Sequence, residues 1–186
     1  MQMQSAYVEA INALVKAVEA KDPTAHEHSE NVARHAVTIA RTLRLAPDET
    51  EVIKFAAILH DIGKISIPDT LLHKTGTLSA RERQILQQHP EVGVSILKDI
   101  RFLEKELPIV LYHHECFDGT GYPYGLSRFE IPVGARIVAV ADAFDRMLHG
   151  RTGTEKHSME EAVKQLVSEK NRKFSPEVVD AFLTSM

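Results

Sequence analysis

The stretch PDETEVIKFAAILHDIGK, residues 47–64, decides the fold. Pro47 suits the first turn of a helix, where its missing N–H is not needed. Val52, Ile53, Ala56, Ile58 and Leu59 then recur at the spacing of one helical face. The expected helix ends on His60-Asp61, with Gly63 as its terminator. Working outward, the same period marks a helix from about His28 to Leu43 and another from about Val133 to Leu148. It also places Met3, Tyr7, Ala10, Ile11, Leu14 and Val18 on one stripe over residues 3–20. Ser79-Ala80-Arg81-Glu82 and Ser158-Met159-Glu160-Glu161 read as capping boxes, and Ser175-Pro176 as a third helix start. The helix after Ser79 should carry Ile85, Leu86 and His89. One from about Lys105 to His114 should run into the turn-rich Asp118-Gly119-Thr120-Gly121-Tyr122-Pro123. No convincing pair of alternating strands is found. The expected fold class is all-α, a compact multi-helix bundle with one glycine-rich loop.

The chain has 186 residues, is 44% hydrophobic and 26% charged, and carries a formal net charge of −4. That length fits one domain able to bury its own core, and that composition excludes intrinsic disorder. A mildly acidic balance argues against a DNA or RNA duplex held on a broad basic surface. No segment approaches the roughly 20 apolar residues a membrane span needs. The N-terminal MQMQSAYVEA lacks the basic and apolar regions of a signal peptide. Cys116 is the one cysteine, so no internal disulfide can form, and a reducing cytoplasm is the expected compartment.

The ten histidines are unevenly spread. His60-Asp61 and His113-His114 each close an apolar helix. Neighbouring helical residues point about 100° apart, so a buried pair can offer ligands to two adjacent metals. Imidazole and carboxylate together suit Fe, Mn, Zn or Ni. Asp61, with two oxygens, can be shared by two ions, as a neutral imidazole cannot. Alone, either dipeptide is ordinary. The weight lies in the series His28, His60-Asp61, His89, His113-His114 and Asp142, each on or at the edge of an expected helix. His26, His35, His73, His149 and His157 show no such pattern and read as surface or locally hydrogen-bonded residues.

The runs ILHDIGKISIPD (residues 58–69) and HHECFDGTGYP (residues 113–123) resemble the two signatures of the HD-GYP family, a branch of the HD phosphohydrolases. Asp22-Pro23 ahead of His28, His89-Pro90-Glu91-Val92-Gly93, and RIVAVAD (residues 136–142) fit the family pattern in order. The resemblance divides the chain into a helix at residues 1–21, a linker or dimerisation element, and an HD-GYP domain at residues 22–186. It implies a metal-dependent phosphodiesterase hydrolysing cyclic di-GMP to pGpG, with GMP as a further product. The implied metal ligands are His28, His60, Asp61, His89, His113, His114 and Asp142. Two divalent ions are expected, Fe or Mn first and Ni or Zn as alternatives. Asp61 and Lys64 would be catalytic, with Lys64 on the scissile phosphate. Lys64, Tyr122, Asp145 and Arg151 would face the substrate, and Glu115 could orient a ligand imidazole or face solvent. The loop around Tyr122 is also a candidate surface for partner proteins such as diguanylate cyclase (GGDEF) domains.

The sequence departs from the family in two places. Some relatives carry a glutamate, ligand to a third metal, where this chain has Thr24, so two metals are expected. Many relatives follow the helix of Asp142 with Arg-Pro-Tyr-Arg; here the segment is Arg151-Thr152-Gly153-Thr154. That change keeps two alternatives open, a nucleotide-sensing or protein-interaction module of weak turnover and a phosphodiesterase for another cyclic dinucleotide.

Overall fold

The computed structural model describes residues 11, 13–16, 21, 25–150 and 156–186. The helix expected at 3–20 lies almost wholly, and Thr24 and Arg151 entirely, outside them. The described chain is helical. Helix α1 is Ala25–Thr42 and α2 is Pro47–Leu59, followed by a 3-10 turn at Ile62–Ser66 and the short α3, Asp69–Leu72. Then come α4 (Ala80–Gln87), α5 (His89–Leu97), α6 (Leu107–Tyr112) and α7 (Val133–His149), and finally α8 (Met159–Ser168) and α9 (Pro176–Thr184). No strand occurs among the described residues beyond an isolated bridge between Lys170 and Phe174.

The centre of the fold is the packing of α1 against α2 and α7. Their facing positions mix small and branched residues: Ala36, Ile39 and Ala40 on α1, Ile53, Ala56 and Leu59 on α2, Ile137, Val138 and Ala141 on α7, all buried. Small residues at a crossing let two helix axes approach, and the branched ones fill the space beside it. Helix α6 lies on α2 and α7, α5 lies on the 3-10 turn and α6, and α9 closes the far side of α1. There Phe182 meets Phe144 edge-on, with centroids 4.7 Å apart. His35, expected at the surface or in a local hydrogen bond, instead sets its ring against Phe144 and Phe182, at 5.2 and 5.6 Å. No helix among the described residues is long and apolar enough to cross a membrane.

Three boundaries differ from expectation, each for a local reason. The capping boxes form at Ser79 and Ser158, each hydroxyl accepting a hydrogen bond from the backbone N–H three residues on. The helix from Ser79 nevertheless stops at Gln87, and a new one starts at His89 with Pro90 in its first turn. Proline has no N–H to offer the carbonyl four residues back and would clash with it. Pro108 likewise opens α6 at Leu107 rather than Lys105. Helix α2 ends at Leu59, and Gly63 sits inside the 3-10 turn rather than acting as a left-handed cap. Its role is close approach: a Cβ there would lie 1.9 Å from the His89 carbonyl oxygen and 2.6 Å from the Gly93 nitrogen. Residue 63 must be glycine for α5 to press against the turn that carries Asp61.

Candidate metal centre

Three helix ends converge beside α1 and α7. His60 follows the last residue of α2, His89 opens α5, and His113 follows the last residue of α6. Each imidazole turns back on its own chain. Nδ1–H of His60 donates to the Ala57 carbonyl at 2.7 Å, that of His89 to Leu86 at 2.8 Å, and that of His113 to Val110 at 2.8 Å. A carbonyl oxygen only accepts, so each Nδ1 carries the proton and each Nε2 presents a lone pair. Leu86 is the carbonyl that Pro90 cannot use, which leaves it for His89.

These lone pairs point at one another and at carboxylates. His89 Nε2 lies 3.4 Å from His113 Nε2. Asp61 Oδ1 lies 3.3 Å from His89 Nε2, and Asp61 Oδ2 lies 3.4 Å from His60 Nε2. Asp142 Oδ1 lies 3.2 Å from His28 Nε2 and 3.8 Å from His60 Nε2. The atoms form two groups, Asp61 with His89, His113 and His114, and His28 with His60 and Asp142, each within 4.8 Å. Burial drives the imidazoles neutral: it lowers the pKa of His60 to about 3 and of His89 to about 4, and holds His113 and His114 well below the usual range. His60 Nε2 is buried with no hydrogen-bond partner. Neutral lone pairs facing carboxylate oxygens in a dry pocket are all acceptors, and a divalent cation is the group that would satisfy them together. The residues therefore fit a two-ion centre, with Asp61 between the two groups.

His28 is held differently. Its Nδ1 donates to Asp145 Oδ2 at 2.6 Å, and Asp145 Oδ1 lies 2.9 Å from Nδ1 of the half-exposed His149. Asp145 was expected to face the substrate. It borders the cleft, but it is 1% exposed and both oxygens turn to imidazoles, so its place is to orient His28. Lys64 Nζ donates to Asp61 Oδ2 at 2.5 Å, and Arg146 donates to Asp142 Oδ2. A cleft of about 1000 Å³ opens over these groups, with Lys64, His89, His114, Tyr122 and Arg146 in its wall and Leu71, Leu72, Leu78 and Leu86 along one side.

The glycine-rich loop supplies the remaining wall. The Tyr122 ring stacks on His114 at 4.8 Å, and burial pushes its hydroxyl pKa upward, so it stays protonated. The Tyr122-Pro123 bond is cis. Glu115, expected either to orient an imidazole or to face solvent, is buried and accepts the Tyr124 N–H at 2.8 Å, tying the loop to the end of α6. Glu27, close in sequence to the first ligand position, is exposed on the cleft wall. Arg146 is not among the residues the sequence singles out, whereas His149, expected at the surface or in a local hydrogen bond, is half-exposed and paired with Asp145. Their signal was the four-residue spacing from Asp142 and Asp145 along α7, which puts each pair on one face.

The HD domain family's profile matches residues 12–178. The chain is 40% identical over 177 residues to the cyclic di-GMP phosphodiesterase response regulator RpfG of Xanthomonas campestris, covering 94% of this chain and 47% of the relative. It is 38% identical over 177 residues to the 3'3'-cGAMP-specific phosphodiesterase 2 of Vibrio cholerae, covering 94% of this chain and 34% of that protein. The chain thus spans less than half the length of these curated relatives. Among solved structures, the HDG"Y"P protein Bd1817 of Bdellovibrio bacteriovorus superposes with a TM-score of 0.72 at 23% identity, over 93% of this chain and 58% of the other, a likeness of fold.

Proposed function

Because the chain belongs to the HD domain family, in its HD-GYP branch, we propose that it is a metal-dependent phosphodiesterase that opens cyclic di-GMP to pGpG, with GMP as a further product. The observation that carries this reading is the convergence of histidine lone pairs and two carboxylates beside a cleft lined by Lys64 and Arg146. His28, His60, Asp61 and Asp142 would hold one ion, and Asp61, His89, His113 and His114 the other. When bound, such a pair supplies Lewis acidity to a phosphate and activates a water molecule. Fe or Mn suits the mixed ligand set best, with Ni or Zn as alternatives.

The protein's own groups do the rest. Asp61 presents one oxygen to each histidine group and so fixes their separation. Lys64 reaches the same carboxylate from the cleft and is placed to meet a non-bridging oxygen of the scissile phosphate, neutralising charge as it builds. Tyr122 is held by its stack on His114 and offers apolar surface to a guanine. Arg151, two residues along the sequence from His149 and outside the described residues, is proposed as a further substrate contact. The exposed Tyr124 and Phe129 on the glycine-rich loop leave surface for a protein partner such as a GGDEF domain, and the N-terminal helix is proposed as a dimerisation element. The single cysteine and the lack of a spanning helix among the described residues support a cytoplasmic setting.

A second substrate reading, 3'3'-cGAMP, is favoured by the similarity to the cholera phosphodiesterase and by the altered segment after Asp142. Incubating Mn- or Fe-loaded protein with each cyclic dinucleotide and separating the products tests both. Conversion of cyclic di-GMP to pGpG supports the first reading. Conversion of 3'3'-cGAMP alone selects the second. No product from either at full metal occupancy overturns both in favour of a sensing module.

A further inference from the structure

Arg146 lies one turn beyond Asp142 on α7, and its guanidinium donates to Asp142 Oδ2. The other oxygen of that carboxylate faces His28 and His60. Asp142 is thus divided between a cationic side chain and the imidazoles. Asp61 is shared less cleanly: Lys64 takes the oxygen that also faces His60, and His89 faces the other. Yet the two basic residues are not equivalent. Both line the cleft, but Lys64 rides on the tight 3-10 turn with its side chain 14% exposed, whereas the Arg146 side chain is 34% exposed. Its positive charge also bears on His114 and on the Tyr122 hydroxyl, which line the same cleft. Arg146 therefore overlooks both groups of ligands.

A guanidinium cannot shed its proton. A divalent ion held by Asp142 and a guanidinium on the same carboxylate repel one another, in a pocket where screening is weak. The side chain has a way out: it can swing towards the cleft. There its planar set of donors matches the oxygens of a phosphate diester, which an acidic chain must otherwise attract through local charge alone.

We propose that Arg146 is an exchangeable counter-ion, neutralising Asp142 in the metal-free chain and turning to a substrate phosphate once Asp142 is committed to a cation. This rests on the phosphodiesterase reading for its substrate, but not for its effect on metal binding. The two effects have opposite signs, which a merely structural arginine would not produce.

The experiment compares wild type with Arg146→Gln and Arg146→Lys, each checked for fold by circular dichroism. Metal-stripped protein is titrated with Mn²⁺ by calorimetry, without nucleotide, and cyclic di-GMP is then measured on the Mn-loaded protein, as KM where it turns over and as Kd where it does not. Arg146→Gln should bind Mn²⁺ about tenfold tighter, because a like charge is gone. Its KM or Kd for the nucleotide should rise by about tenfold or more, because a charge-assisted contact is gone. Arg146→Lys should restore most of both. Unchanged or weaker Mn²⁺ binding in Arg146→Gln overturns the counter-ion role, and unchanged nucleotide affinity overturns the turn towards phosphate. Should wild type hydrolyse no cyclic dinucleotide, the phosphodiesterase reading fails while the Mn²⁺ titration still decides the role of Arg146.

Discussion

The candidate centre is assembled from two kinds of support. On one side, His60, His89 and His113 stand at helix ends and are pinned by backbone carbonyls. On the other, His28 and Asp142 stand within helices and are held by side chains, Asp145 and Arg146. The difference follows from where carbonyls are free. A helix uses its interior carbonyls on its own N–H groups and leaves those of its last turn over. An imidazole at a helix end can take one at no cost in composition, while one on a helix face must recruit a carboxylate. Backbone support is rigid and insensitive to neighbouring charge. Side-chain support can be tuned, and α7 carries its tuning groups at four-residue intervals.

Substitutions can break this contrast in turn. Asp61→Ala should have the largest effect, since Asp61 stands between the two groups. Metal content, read by elemental analysis, and turnover should fall together, by more than the roughly 10–100-fold typical of an outer partner. Retention of both ions would show that Asp61 is not shared. Lys64→Ala should keep its metal and lose roughly 10²–10³-fold in turnover, the usual loss for one charge-stabilising donor. Undiminished turnover would remove Lys64 from the reaction. Asp145→Ala should weaken metal binding by roughly 10–100-fold, and only on the His28 side, so that about one ion per chain survives dialysis. Equal loss from both sides would erase the distinction between backbone and side-chain support.

The mildest effect is that of acid on the metal-stripped chain. Burial lowers the pKa of His60 to about 3 and of His89 to about 4. Unfolding exposes them to water, where they take up protons near pH 6.5. The unfolded chain therefore binds more protons than the folded one below about pH 6.5, and stability declines from there down to the folded values. Thermal midpoints should drop between about pH 7 and about pH 5. A flat midpoint would mean that the carbonyl-pinned pocket admits protons freely.

The ligand series was legible because each member closes or interrupts an apolar period: His60-Asp61 after Leu59, His113-His114 after Leu111. The helix centres were legible for the same reason. What the sequence withheld were contacts between elements. A four-residue step from Asp142 to Arg146 is common on solvent-facing helices, and only the cleft over α7 gives it a meaning. The break at Gln87 was half visible, because Pro90 stood in plain sight while the continuous apolar pattern through Leu86 and His89 masked its consequence. Gly63 is conspicuous in the sequence, but not for the reason it is needed. Its spacing suggested a helix cap, but its necessity lies in α5, thirty residues away by the count from Gly63 to Gly93.

That contact at Gly63 works as a gauge block. Its missing side chain lets two stretches of main chain touch, and the touching distance, rather than any ligand, fixes how far Asp61 stands from His89. A methyl group added there would act as a shim: meeting main chain rather than a flexible side chain, it would push α5, and His89 with it, away from Asp61.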